Sequence, residues 1–90
     1  QRGHTRETSF FRIKTVLNNC GHNRFGFVIS KKVAARATKR NRLKRILFTA
    51  IGAIEKITRG YDIIVYVLPH AGTVDEKIVL EDFKKIIKLL

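Results

Sequence analysis

Lys or Arg fills eight of the fifteen positions from Lys31 to Arg45, inside the stretch SKKVAARATKRNRLKR over 30–45. No Asp or Glu occurs between Glu7 and Glu55. Burying unpaired charges is too costly for such a run to be core, so it faces water or a polyanion. A solvated helix face is the commoner fate of a charge run. A merely soluble surface mixes both signs, however, and this one does not. The chemistry on offer is therefore phosphate binding. The candidate nucleic-acid contacts are Lys31, Lys32, Arg36, Lys39, Arg40, Asn41, Arg42, Lys44 and Arg45. Asn41 adds no charge; its amide both donates and accepts, which suits a base edge or a ribose.

Other groupings carry less. Cys20 and His22 stand two apart in a turn, and two ligands without a second suitably spaced pair do not make a zinc site. No third group orients them as a nucleophile pair. His4 and His70 are scattered. Asp75, Glu76, Glu81 and Asp82 fall early on a helix, where acids complement the dipole. No protein catalytic residues and no metal ligands are expected. A stand-alone nuclease would need clustered acids, which the acid-free middle of the chain does not supply.

The elements that must position the basic run follow from periodicity. Residues 1–7 read as a loop or a short edge strand. Residues 8–17 alternate, with Phe11, Ile13 and Thr15 on one side and Phe10, Arg12, Lys14 and Val16 on the other. Asn18 to Asn23 is turn chemistry, and residues 24–30 return as a second strand, giving a hairpin. Gly26 suggests a bulge or a close backbone approach. A helix is expected from Ala37 or Thr38, with Thr38 as N-cap. Leu43, Ile46, Leu47, Ala50, Ile51 and Ile54 form its apolar stripe. Gly52 weakens it, and Gly60 suits its C-terminal cap. Traced backwards, the stripe turns basic at Arg40, Lys39 and Arg36. The helix thus packs with its C-terminal half and leaves the core with charges at its N-terminal half, where the dipole adds positive charge.

Residues 61–68 form a near-continuous apolar run, expected to be a strand covered on both sides. Asp62 is expected to pair toward the basic helix. Pro69 to Gly72 reads as a loop, and Thr73 with Glu76 as a capping box. A last helix over about 75–90 buries Val79, Leu80, Phe83, Ile86, Ile87 and Leu90. The order β, β, α, β, α implies an α+β sandwich, with the strands flanking the first helix as parallel neighbours.

Ninety residues make one domain, and 44% apolar residues suffice for one modest core. The net charge of +12 is the footprint of a nucleic-acid binder. A lone cysteine gives no disulfide framework, which suggests a reducing, cytoplasmic setting. No membrane span and no signal peptide are read in the chain. A structural RNA-binding protein of ribosomal type and a DNA-reading helix are the alternative readings.

The stretch SKKVAARATKRNRLKR resembles the signature of the protein subunit of bacterial ribonuclease P. The matching residues are Ser30-Lys31-Lys32, Ala37, Arg40-Asn41-Arg42 and Lys44-Arg45. Arg24 to Phe27 resembles the strand leading into that signature, and Gly60 to Val65 the strand after the helix. The resemblance covers residues 3–90. It implies an α-β sandwich of the ribosomal protein S5 domain 2-like kind, with a left-handed βαβ crossover. It also implies an accessory role in an endoribonuclease whose catalyst is an RNA. That RNA, with Mg2+ that it mainly binds itself, hydrolyses the phosphodiester freeing the 5′ leader from precursor tRNA. The basic residues named above would dock on the RNA subunit, and a cleft on the sheet would hold the leader. Phe11, Lys14 and Phe27 are the cleft candidates, with core packing as the competing expectation for both Phe residues. No obligate protein partner is implied. The family usually begins with an aromatic-bearing helix that walls the cleft, and nothing from Gln1 onward corresponds to it. Phe48 stands where the family usually has Arg, and Leu68 precedes Pro69 where Arg is common.

Overall fold

The computed structural model describes residues 3–18, 21, 23–52 and 60–88. Strands β1 (Gly3–Glu7), β2 (Phe11–Leu17) and β3 (Arg24–Ile29) precede helix α1 (Ala37–Gly52). Strand β4 (Tyr61–Val67), a short 3-10 helix (Pro69–Thr73) and helix α2 (Glu76–Lys88) follow. The sheet order is β1-β2-β4-β3. β1 pairs antiparallel with β2, β2 antiparallel with β4, and β3 parallel with β4. The short edge strand and the parallel neighbours across α1 are as expected.

The hairpin of β2 and β3 is not formed, because β4 lies between them. Turn residues dictate that the chain reverses, not which strand it then pairs with. β4 is the strand richest in Ile, Val and Tyr, and it takes the central, doubly paired position. Gly21, in the connection from β2 to β3, has φ of 82°, a left-handed value glycine adopts without strain. Gly26 makes no bulge: β3 and β4 stay in one-to-one register from Arg24↔Asp62 to Ile29↔Val67.

That register divides the sheet into two faces. Phe11 and Ile13 on β2 and Ile63, Val65 and Val67 on β4 share one face and are buried. Phe25, Phe27 and Ile29 of β3 join them, partly buried. Both helices cover this face. Phe83 of α2 meets Phe11 at a ring-centroid distance of 5.2 Å and Phe27 at 6.1 Å, while Phe48 of α1 meets Phe27 at 5.4 Å. Leu47 and Ala50 of α1 and Val79, Ile86 and Ile87 of α2 complete the core. Leu43, Ile51 and Leu80 pack at its margin, partly buried. Ile54 and Leu90 lie outside the described residues.

The other face carries Lys14, Ile64 and Gly26 in one row and Arg12, Tyr66 and Val28 in the next. Ile64 is 36% exposed and Val28 46%, so β4 is covered on one side only. An unbroken apolar run does not reveal this, since its even and odd members look alike.

The helix starts also differ from expectation. Arg36 holds the capping position of α1, its carbonyl accepting the N–H groups of Lys39 and Arg40 at 3.1 Å each. Thr38 is already inside the first turn. Asp75, not Thr73, caps α2: its carboxylate accepts the Lys77 N–H at 3.2 Å and its carbonyl the Ile78 N–H at 2.9 Å. Thr73 instead donates to the carbonyl of His70 at 2.8 Å, within the 3-10 turn that replaces the expected loop. The helix end that Gly60 was to cap lies outside the described residues. Gly60 itself gives its carbonyl to the Asn18 N–H at 2.8 Å.

Candidate nucleic-acid interface

The basic run begins where β3 ends. The Ser30 carbonyl accepts the Val33 N–H at 3.0 Å, and its hydroxyl the Lys32 N–H at 3.2 Å, which folds Ser30–Val33 into a tight turn. Val33 is buried, and its carbonyl lies against Gly72, where a side-chain methyl would overlap it. Arg40 locks the rest of the connection. One guanidinium nitrogen donates to the carbonyls of Ala34 and Ala35, at 2.9 Å each. Lys31, Lys32 and Arg36 are thereby presented outward from an ordered loop, and all three are exposed.

Along α1, Arg36, Lys39, Arg42 and Arg45 recur every third residue and follow one side of the helix. They line a shallow groove of about 680 Å³, together with Val33, Ala34, Ala35 and Thr38. No carboxylate lines it. Lys44 and Asn41 are exposed but lie outside this groove. Of the nine candidate contacts, Arg40 is thus the half-buried one tied to backbone, and the other eight are exposed.

Self-neutralisation is slight. Among the described residues, the only ion pair to the basic run joins Arg42 to Glu76 at 3.3 Å, with both side chains partly exposed. Exposed pairs are worth about 0–1 kcal/mol, so a phosphate competes easily for Arg42. Asp62 does not reach the basic helix. It binds Arg24 at 2.8 Å and 3.1 Å and accepts from Asn18 at 2.9 Å, at the opposite end of the sheet. The Arg24 guanidinium, then the Asn18 amide, hold its carboxyl below the ordinary carboxylate value. Asp82 accepts from the Thr8 hydroxyl at 2.8 Å and pins the β1–β2 turn to α2.

The cleft candidates divide. Phe11 is fully buried and Phe27 packs between Phe48 and Phe83, so both belong to the helix-covered face. Phe11, fully enclosed there, cannot stack on a base, and Phe27 is partly buried on the same face, away from Lys14. Alternation along β2 assigned Phe11 a face but could not say which face the helices take. Lys14 is exposed on the open face. The aromatic on that face is Tyr66, directly across from Arg12 and beside Val28. A weak signal pointed to it, since the polar members of YDIIVYV, Asp62 and Tyr66, share one parity. Phe48, at the family's usual Arg position, is 48% exposed at the rim of the core.

His70 stacks on Phe10, with centroids 5.3 Å apart. Cys20 and His22 lie outside the described residues. Among the described residues no three His, Cys, Asp or Glu side chains gather as a metal site. No helix among them is long and apolar enough to cross a membrane.

The sequence model of the family described as Ribonuclease P matches residues 1–90. A ribonuclease P protein component from Synechocystis sp. is 45% identical over 50 residues, covering 54% of this chain and 40% of that protein. One from Cyanothece sp. is 33% identical over 75 residues, covering 82% and 57%. The chain therefore spans between 40% and 57% of the length of these curated relatives. Among solved structures, the RNase P protein from Thermotoga maritima superposes with a TM-score of 0.84 at 26% identity, over 98% of this chain and 84% of that one. The Staphylococcus aureus RNase P protein gives 0.85 at 25%, over 97% and 80%.

Proposed function

Because this chain belongs to the ribonuclease P protein family, we propose that it is the accessory protein of a ribonucleoprotein endonuclease. It docks on the catalytic RNA through the basic groove and helps that RNA remove the 5′ leader from precursor tRNA. The observation that carries this reading is the acid-free groove of Arg36, Lys39, Arg42 and Arg45, set at the positive end of α1. Four cations along a groove lined by no carboxylate, with only Arg42 paired at its rim, suit a polyanion better than any neutral ligand. The loop lysines Lys31 and Lys32 extend the same surface.

The open sheet face is the proposed seat of the leader. Lys14 and Arg12 supply cations, Tyr66 a ring for a base, and Ile64 and Val28 an apolar floor. Single strands are held this way, with backbone on cations and bases on aromatic faces. Gly26 leaves open space beside Ile64 where a side chain would stand.

Cleavage itself is assigned to the RNA. Magnesium held by the RNA would supply an activated water and stabilise phosphoryl charge. The described residues bring no carboxylate cluster together to hold it, so the ion is proposed to reside chiefly on the RNA. The protein's part is electrostatic: each phosphate it neutralises lowers the repulsion that magnesium must otherwise screen.

The test is a magnesium titration of precursor tRNA cleavage by the ribonuclease P RNA, with and without this chain. The chain should lower the magnesium concentration at half-maximal rate. Superimposable curves would sink the proposal.

A further inference from the structure

We propose that the hollow between the N-terminal half of α1 and the start of α2 takes one unstacked nucleotide of the RNA, with Glu76 reading an amino-bearing edge of its base. This rests on the reading of the neighbouring groove as an RNA surface.

The hollow measures about 320 Å³, at the small end of the roughly 300–1,000 Å³ typical of small-molecule sites. Its floor is apolar: Val33, Leu43, Val74 and Val79. Its rim holds Lys39, Arg42 and Glu76. It adjoins the acid-free groove, and the two share Val33, Ala34, Lys39 and Arg42. A polymer lying along the groove thus meets a change of chemistry at its end. Cations alone give way to an apolar floor rimmed by Lys39 and by the Arg42–Glu76 pair.

That change selects the occupant. A bare phosphate would be repelled by Glu76 and would leave the apolar floor wet. A base has flat apolar faces for Val74 and Leu43, and its own phosphate stays with Lys39 and Arg42. Carboxylates accept from exocyclic amino groups, and RNA readers take bases that are splayed out of the stack. Glu76 is available for this, since its partner among the described residues is the exposed Arg42 at 3.3 Å. When phosphate draws Arg42 away, the carboxylate is left to the base.

The experiment is methyl-detected NMR of the whole chain titrated with GMP, CMP, AMP, UMP and, separately, inorganic phosphate. The amino-bearing nucleotides should shift the Leu43, Val74 and Val79 methyls, while inorganic phosphate leaves these unmoved. UMP, which has no exocyclic amino group, should bind several-fold more weakly. Glu76→Gln should close that gap, and Val74→Phe, which fills the hollow from its floor, should abolish the Leu43 and Val79 methyl shifts. The proposal is overturned if every nucleotide leaves the methyls unmoved at millimolar concentration, or if the discrimination against UMP survives Glu76→Gln. Binding of structured RNA with a steep salt dependence, measured alongside, keeps the two readings apart. If it persists while the methyls stay silent, the pocket fails and the groove stands; if it is absent too, both fail.

Discussion

Arg40 donates to the carbonyl of Ala34 at 2.9 Å, and the same nitrogen reaches the carbonyl of Ala35 at the same distance. A cation in the middle of the basic signature is therefore spent on the protein's own backbone. It closes the loop that carries Lys31, Lys32 and Arg36 onto the first turn of α1. Motif resemblance treats the Arg-Asn-Arg triplet as one unit, yet its two arginines do different things: Arg42 faces the groove and Arg40 shapes it.

Arg40→Ala should accordingly loosen the loop before it weakens phosphate contact. Hydrogen bonds from a charged donor contribute roughly 1.5–3 kcal/mol at most, and less where water competes. Tryptic cleavage after Lys31, Lys32 and Arg36 should quicken in the free protein, and RNA affinity should fall without a lower salt slope. Arg40→Lys, which keeps charge and donors, should restore most of both. A salt slope reduced in Arg40→Ala by a full phosphate's worth would assign Arg40 to the RNA instead.

Arg45→Ala makes the complementary case. Arg45 lines the groove, is exposed, and its guanidinium has no ion-pair partner among the described residues. Losing one phosphate contact should reduce the log–log salt slope by about 0.7–0.9. Folding stability, read by urea denaturation, should change by less than about 0.5 kcal/mol. Arg36→Ala should behave alike, and the pair should be additive in slope.

Gly72 is the hidden support of the same loop. A methyl there would stand 3.0 Å from the Val33 carbonyl carbon and overlap its oxygen. Backbone cannot swing aside as a flexible side chain does, so Gly72→Ala should destabilise by roughly 1–3 kcal/mol, as overpacking does. It should also displace the Lys31–Arg36 connection. A shifted urea midpoint together with weakened RNA binding is the expected result; wild-type values for both would mean the 3-10 turn moves freely.

Acid should act through Asp62. Arg24 and Asn18 lower its carboxyl value in the folded chain, so the stability this group contributes is present above the ordinary carboxylate value of 3.8. It is lost as pH falls below that toward the folded value. Asp62→Asn should flatten the low-pH limb of the stability curve below about pH 4 and leave RNA binding at neutral pH unchanged, since Asp62 lies away from the basic helix. An unchanged acid limb would mean the Arg24 pair adds nothing in solution.

How far these sites were legible in the sequence depended on the range of the interaction. The period of Leu43, Leu47 and Ala50 marked α1, and the alternation of Phe11, Ile13 and Thr15 marked β2, because both patterns are local. The position of β4 between β2 and β3 was not legible, since pairing across dozens of residues leaves no mark at the turn. Charge at Arg36, Lys39, Arg42 and Arg45 announced an exposed basic surface, and the structure lines them along one groove without a carboxylate. That Arg40 turns inward depended on two carbonyls whose placement only the folded loop supplies. Thr73 and Glu76 have the spacing of a capping box, yet Asp75 competes from one residue away and wins with its shorter reach to the Lys77 N–H.

The open sheet face gives the sharpest contrast between two aromatics. Tyr66 lies there half-buried, beside Val28 and across from Arg12, whereas Phe11 is fully enclosed against Phe83. If the leader lies on this face, Tyr66→Ala should weaken binding of a single-stranded oligonucleotide by roughly 1–3 kcal/mol, the range of one base–aromatic stack. Stability should change little by comparison, because the ring faces solvent on one side. Phe11→Ala should do the reverse and destabilise the fold by roughly 3–5 kcal/mol, the usual range for emptying a buried aromatic site. Wherever that variant stays folded, oligonucleotide affinity should be near normal. Fluorescence anisotropy of a labelled leader-length RNA, read beside urea denaturation, separates the two effects. Equal loss of affinity in both folded variants would mean the strand does not use this face, because only Tyr66 can touch it.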